Sequence, residues 1–373
     1  MNAPMPGTGI VTHERYFWHD PGSGAGFSNS SPFVQPDQHP ETPESKRRLL
    51  SLLDVSGLLE QLTRLPVRPA THAELRYFHT EGYIERVRDL SARNGGSIGD
   101  SASIGAGSFE IATLAAGGCI EAADAVLRGS VRNAYALVRP PGHHAEADQG
   151  RGYCVFGNAV LLVRHAQRVH SLERVAVVDW DVHHGNGTES AFIDDPAVLT
   201  LSIHQDHLYP IGAGQLSVTG SGRAAGTNLN IPLPAGSGHG AYLAAFDNVV
   251  LPALHRFRPQ LIVVASGLDA SAMDPLGRML CTSETYRAMA KAICAAADDL
   301  CDGRLLATHE GGYSNAYVPF CGLAVIEAFA GIRTDVLDPY LEELMHIGGQ
   351  ELQPHQAAAI AAAAALVPGI ARG

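Results

Sequence analysis

The sequence predicts an α/β fold with a central, mostly parallel sheet flanked by helices. Two observations carry this. Amphipathic helical patterns alternate with short, continuously apolar runs, and the runs lack the in–out alternation of a half-exposed sheet. In addition, 46% of the 373 residues are apolar and only 17% charged, against roughly a quarter in an ordinary soluble domain. That is ample material for one large buried core. No internal repeat and no linker divides the chain, so one domain over residues 1–373 is expected.

Thr42-Pro43 reads as the cap and first position of a helix running to about Leu53. Further helices are expected over 73–92, 109–128, 158–170, 240–256 and 284–301, and an Ala-rich packing helix over 356–366. Buried strands are expected at Ala134–Val138, Val175–Asp179, Val198–Ile203, Leu261–Ala265 and Arg304–Thr308. Gly/Ser/Pro-rich stretches at 20–43, 93–107 and 210–226 read as long loops, which in a domain of this size usually carry function or disorder.

Charge and cysteine usage narrow the class. Lys and Arg number 26 against 38 Asp and Glu, a net charge of −12. Such a chain lacks the basic surface that nucleic acid requires and suits a cationic substrate. The 6 cysteines show no C-x-x-C pair. With no leader-like N-terminus and no apolar run of membrane-spanning length, a reduced cytoplasmic protein is expected. The 18 histidines hint at a site of imidazoles and carboxylates.

The chemistry lies where the predicted strands end. Ala134–Val138 leads into Arg139-Pro140-Pro141-Gly142-His143-His144. Val175–Val178 leads into Asp179-Trp180-Asp181-Val182-His183-His184-Gly185-Asn186-Gly187. Leu261–Ala265 leads into Ser266-Gly267-Leu268-Asp269, and Leu305–Thr308 into His309-Glu310-Gly311-Gly312-Tyr313. Open parallel sheets bind ligands outside the carboxyl ends of their strands. Asp179, Asp181 and His183 alternate along an extended chain, so they share a side. Asp181 and His183 can reach one divalent ion, Asp269 is the best third ligand, and three ligands leave a position open for water and substrate. The set is hard enough to admit Fe²⁺ or Co²⁺ as well as Zn²⁺. The rigid turn before His143 and His144 places two imidazoles able to move protons near neutral pH, with Asp179 placed to orient His143. Gly311 and Gly312 permit close backbone approach, and the Tyr313 phenol can donate to a developing oxyanion.

These blocks (RPPGHHA, DWDVHHGNGT, SGLDASAMDPL and EGGYS) resemble the signatures of the zinc-dependent deacetylases. That superfamily spans histone deacetylases, acetoin-utilisation proteins and acetylpolyamine amidohydrolases. The likeness runs from FHTEGYIERV to the helix containing VPFCGLAVIE. Asn186 in HHGNG places it with the class II branch, close to the bacterial histone deacetylase-like amidohydrolases. The resemblance implies zinc ligands Asp181, His183 and Asp269. It implies His144 as general base and acid, His143 as an electrostatic partner oriented by Asp179, Asn186 bonded to His144, and Tyr313 as oxyanion donor. It further implies structural potassium near Asp179, Asp181, His183, Ser202 and Ile203, with a second site near Phe192, Asp195 and Val198. The acyl-lysine tunnel would involve Gly152, Leu276, Gly311 and Gly312, with Asp100 at the rim. Tyr153 and Tyr209 stand where two phenylalanines usually wall the tunnel, and His309 where near relatives often carry Gln.

The expected activity is hydrolysis of acyl amides, foremost acetyl-lysine in a peptide or protein. The runner-up is an acetylated polyamine, disfavoured by the apolar Leu276, followed by a non-catalytic acyl-lysine binding module, disfavoured by the retained His143, His144 and Tyr313. A homo-oligomer is compatible with the long loops. Gly95-Gly96-Ser97-Ile98-Gly99 formally fits a serine-hydrolase elbow but lacks the preceding strand. The Gly236–Ala241 stretch lacks the downstream acid of a dinucleotide loop.

Overall fold

The computed structural model describes residues 7–24 and 31–372. Eight strands form the central sheet: β1 (Thr8–Val11), β2 (Thr63–Arg64), β3 (Asn133–Ala136), β4 (Val175–Asp179), β5 (Val198–Gln205), β6 (Asn228–Leu233), β7 (Leu261–Ser266) and β8 (Leu305–His309). They are parallel, in the order β6-β5-β4-β7-β8-β3-β1-β2. The four strands whose ends carry the chemistry, β4, β7, β8 and β3, therefore stand side by side at the centre. Register aligns their ends. Asp179 lies opposite Ser202 on one side and Ala265 on the other, and Ser266 opposite His309.

Both faces of the sheet are covered, which explains the unbroken apolar runs. Ala176, Val178, Ile262, Val264, Leu305 and Ala307 pack among residues of α1 (Glu44–Val55), α5 (Ser283–Cys301), α6 (Val318–Ala330) and α7 (Pro354–Ala364). Val175, Val177, Leu261, Val263 and Leu306 pack among α3 (Ser108–Leu127) and α4 (Asn158–Val169). Each fully buried Val, Leu or Ile contributes about 1.5–3 kcal/mol, so alternate residues of one strand tie two separate helical layers to the same sheet.

The differences from expectation have local causes. Residues 73–92 form two helices, not one: His72–Leu75 closes, and Thr80 then caps α2 (Glu81–Ala92) by accepting from the Tyr83 amide. The loop expected at 93–107 contains strands Gly96–Asp100 and Ala102–Ile104, which form a small sheet with Gly150–Arg151. That sheet puts Asp100 at a strand end. Ser97 is exposed and donates to the Gly99 carbonyl, so it has none of the surroundings of a nucleophile. Helix 240–256 is interrupted by a π-turn at Phe246–Val250. Thr42 Oγ accepts from the Glu44 amide, and the helix begins at Glu44. In the 20–43 loop, Ser23–Gly24 pairs with Asp37–Gln38, while residues 25–30 lie outside the described part. Strands β1, β2 and β6 were not expected. β6 reads NLNIPL, and its Pro232, which has no N–H, is tolerated because this is an edge strand.

Candidate active site

The loops after β4 and β7 bring Asp181, His183 and Asp269 together, all buried. His183 Nδ1 lies 3.0 Å from Asp181 Oδ1 and 3.1 Å from Asp269 Oδ2. These separations approach the roughly 3.3 Å between neighbouring ligands of a tetrahedral zinc. The remaining carboxylate oxygens are held by backbone: Gly311 N donates to Asp181 Oδ2 at 2.8 Å and Val182 N to Asp269 Oδ1 at 2.8 Å. A Cβ on Gly311 would fall 2.1 Å from Asp269 Oδ2 and 2.6 Å from Asp181 Oδ2. The glycine is thus required for the backbone amide to reach the centre.

Electrostatics give an independent test of whether a cation fits. Asp179, Asp181, Asp269, Asp274 and Glu310 are all buried within this region. Burial, reinforced by Asp181, pushes Asp269 up to about 7. Burial also raises Glu310 to about 7 and Asp274 to about 6. Burial alone would lower His183, but hydrogen bonds to Asp181 and Asp269 carry it up to about 10. A proton on His183 thus bridges two carboxylates where a divalent ion would serve both, and the donor set fits such an ion.

The paired histidines after β3 are in opposite states. His143 Nδ1 lies 2.9 Å from Asp179 Oδ2, and its Nε2 is 3.7 Å from Asp181 Oδ2. Burial would lower His143, but Asp181 and Asp179 lift it to about 10, so it is an imidazolium. The ring of His144 lies 3.9 Å away, and burial together with the positive charges of His143 and His183 holds it well below the usual histidine range. His144 Nδ1 meets Asn186 Oδ1 at 2.7 Å, which leaves Nε2 free to accept a proton. Neighbouring groups whose environments separate their pKa values are the pattern of acid–base sites.

A cavity of about 500 Å³ opens onto this centre, lined by Asp100, Ser101, His144, Arg151, Gly152, Tyr153, His183, His207, Leu208, Tyr209, Ile211, Leu276 and Tyr313. It contains five of the expected tunnel residues: Gly152, Tyr153, Tyr209, Leu276 and Asp100. Gly311 and Gly312 are not among the residues of its wall. Gly152 (φ +49°) has no room for a side chain, because a Cβ would sit 2.3 Å from His144 Cδ2. The Tyr209 hydroxyl donates to Asp100 Oδ2 at 3.1 Å, and Arg151 Nε donates to the same oxygen at 3.3 Å. The Tyr313 phenol stays protonated, its pKa raised by burial, Asp269 and Asp181.

Ser202 is buried beside Asp179 with its hydroxyl 2.9 Å from His204 Nδ1, and Ile203 is buried in β5. At the other expected potassium position, the Asp195 carboxylate pairs with Arg164, whose guanidinium lies 4.6 Å from the centre of the Phe192 ring. The carbonyls of Phe192 and Asp195 accept from Asp195 N and Val198 N. His309 is buried with Nδ1 2.8 Å from the Tyr135 hydroxyl; burial keeps it neutral, and it lies outside the cavity wall.

Sequence reasoning missed several positioning groups. Glu310 accepts from Gly142 N at 2.7 Å, His143 N at 3.0 Å and the Thr308 hydroxyl at 2.7 Å, so it pins the turn carrying the histidines. Asp274 accepts from Tyr313 N at 2.8 Å and Leu276 N at 2.8 Å, tying the phenol to the cavity wall. Both lie inside quoted motifs, HEGGY and DASAMDPL; for Glu310 the available signal was a carboxylate directly after a buried apolar strand. Arg151, Ser101, His207, Leu208 and Ile211 carried none.

A parallel sheet that gathers two carboxylates, an imidazole, a pair of histidines and a phenol at one edge has the groups that a hydrolase acting on amides uses. The comparisons make this specific. Residues 39–329 match the model of the histone deacetylase domain. The chain is 50% identical over 335 residues to a histone deacetylase-like amidohydrolase of Pseudomonas aeruginosa, covering 89% of this chain and 88% of that one. It is 37% identical to a probable deacetylase of Archaeoglobus fulgidus, over 91% of each. The crystal structure of the HDA15 HD domain superposes with a TM-score of 0.80 at 31% identity, covering 96% of this chain and 98% of that one. The chain belongs to the histone deacetylase family.

Proposed function

We propose that this chain is a zinc-dependent amidohydrolase that removes acetyl groups from lysine side chains of peptides or proteins. The observation carrying this reading is the convergence of Asp181, His183 and Asp269, short of positive charge, beside a neutral His144 and a cationic His143. A divalent ion held by those three residues would polarise the acyl oxygen and acidify a water. His144 Nε2 takes the proton as the water oxygen attacks the carbonyl carbon. The Tyr313 hydroxyl donates to the acyl oxygen as it becomes negative. The C–N bond then breaks, and His144 returns its proton to the departing amine. His143, held by Asp179, lies beside the centre and can share the negative charge that builds there.

The cavity wall supports acyl-lysine over an acetylated polyamine. Among the described residues lining it, Asp100 is the one carboxylate, and it is already engaged by Arg151 and Tyr209. No free acid remains for a polyamine's distal ammonium. Potassium is proposed beside Asp179, Asp181, His183, Ser202 and Ile203. At Phe192, Asp195 and Val198, Arg164 already supplies a positive charge. All 6 cysteines are free thiols, which supports a reducing, cytoplasmic setting.

The test is metal analysis together with kcat/KM for an acetyl-lysine peptide, its trifluoroacetyl analogue and acetylputrescine. Bound zinc with peptide hydrolysis is expected. A hundredfold preference for acetylputrescine would replace the substrate class, and a metal-loaded protein that hydrolyses no acyl amide would sink the reading.

A further inference from the structure

Behind His144 a chain of charged and polar groups runs outward to the cavity rim. Asn186 meets His144 Nδ1 through Oδ1 at 2.7 Å, and its Nδ2 donates to Glu146 Oε1 at 2.7 Å and to the His144 carbonyl at 3.3 Å. Glu146 Oε1 also accepts from Arg151 at 2.9 Å, and Oε2 from Gln149 Nε2 at 2.7 Å. Arg151 in turn reaches Asp100 at the mouth. The backbone of this segment is fixed as well: His79 Nδ1 lies 3.0 Å from the Glu146 carbonyl, and Thr80 N donates to the Ala147 carbonyl at 2.8 Å.

We propose that Glu146 is a positioning residue for hydrolysis, because its carboxylate fixes the orientation of the Asn186 amide and thereby the tautomer of His144. An amide side chain is ambiguous. Turned one way, Asn186 offers oxygen to His144 Nδ1 and selects the imidazole that carries hydrogen there, with Nε2 bare. Turned the other way, it offers N–H and selects the tautomer with Nε2 blocked. Its partners decide. Two groups that only accept face Nδ2: the His144 carbonyl at a long 3.3 Å and the Glu146 carboxylate at 2.7 Å. The shorter, charge-assisted bond to Glu146 is the stronger hold on the orientation that turns the oxygen to His144. Burial would raise Glu146, but hydrogen bonds from Gln149, Arg151 and Asn186 hold it below the usual glutamate range, so it stays an acceptor. The negative charge behind the base is thus displaced one residue outward, through an amide, and tied by Arg151 to the rim.

The proposal rests on His144 acting as the base in the reading above. Its test is a double-mutant cycle on the zinc-loaded protein with an acetyl-lysine peptide. Glu146→Gln should lower kcat about tenfold with KM changed less than threefold, since a glutamine can itself flip. An aspartate at 186 needs no orienting partner and is repelled by Glu146. In the Asn186→Asp background, Glu146→Gln should therefore raise kcat. An equal loss in both backgrounds, or a loss confined to KM, overturns the proposal. A second measurement covers the case in which a variant fails to fold. Nitrogen NMR of the wild-type protein should show His144 carrying its proton on Nδ1, and a predominant Nε2–H form overturns the proposal. Absence of any wild-type hydrolysis would instead count against the functional reading, while the tautomer measurement would still decide the role of Glu146.

Discussion

Among the described residues, two groups of three potential metal ligands combine histidine with aspartate, and they differ in the electrostatics a metal centre needs. At the sheet edge, two fully buried carboxylates share His183. On the helical layer, one carboxylate, Asp124 of α3, accepts from His165 Nε2 at 2.9 Å and His170 Nε2 at 2.6 Å, and its other oxygen from Arg128 at 2.8 Å. Ligand atoms lie within 4.8 Å of one another in both. The charges differ. Burial would raise Asp124, but its hydrogen bonds to His170 and His165 hold it low, whereas Asp269 is driven up to about 7 by burial and Asp181. Asp124 already pairs with Arg128, whereas the buried carboxylates at the sheet edge outnumber the positive groups among them. Proximity of ligand atoms alone does not separate a metal site from a helix clamp; the balance of buried charge does.

The largest effect that would break this comparison is on metal content. Asp269→Asn removes a charged ligand, so zinc stoichiometry should fall below half and kcat/KM by more than about a thousandfold. If Asp269→Asn kept full zinc and activity while Asp124→Asn lost both, the assignment of the two clusters would be reversed. Next comes Tyr313→Phe, which removes a donor and leaves the ligands intact. Zinc content should be unchanged, and kcat should drop about 10²–10³-fold, the usual cost of one oxyanion donor. Undiminished turnover would remove the phenol from the mechanism.

The contrast also shows what a sequence can carry. Asp181, His183 and Asp269 were legible because each follows a buried apolar strand, and a parallel sheet delivers all its strand ends to one edge. Glu146 was not legible. It sits two residues after His144 in HHAEADQG, and its role arises only when Arg151 and Asn186, from separate segments, fold against it. The β6 strand was hidden by its asparagines and proline, and Gly96–Asp100 by its glycines, since composition there speaks for a loop while pairing decides otherwise. The break before α2 was hidden because RYFHT contains no helix breaker; Thr80 acts as a cap only once Phe78 and His79 turn inward.

Metal removal should separate the clusters by pH. In the stripped protein, Asp269 at about 7 lies above its unfolded value, so the folded state holds the extra proton and loses stability as pH rises through 7. His183, raised to about 10, adds stability that is fully present below about 6.5 and lost as pH climbs through 10. Both terms have the same sign. The melting temperature of chelator-treated protein should fall by several degrees from pH 5 to 9, first through Asp269 up to about 7 and then through His183, and zinc should flatten that slope. A slope unaffected by zinc would mean that the metal is not bound at these groups.

The smallest effect belongs to the clamp. Asp124→Asn replaces the charged acceptor shared by His165 and His170 with a neutral amide oxygen, and His165 is the more deeply buried of the two. Losing the charge, and with it the Arg128 pair, costs about 1–3 kcal/mol, which in a chain of this size lowers the melting temperature by only a few degrees. Zinc content should stay at one per chain and kcat within about twofold, because α3 and α4 support the face of the sheet and contribute no residue to the cavity wall. Calorimetry and metal analysis on the same sample would check both halves. Loss of a second zinc equivalent on this substitution would show that His165 and His170 hold an ion despite Arg128, and that buried charge balance fails as the criterion separating the two clusters.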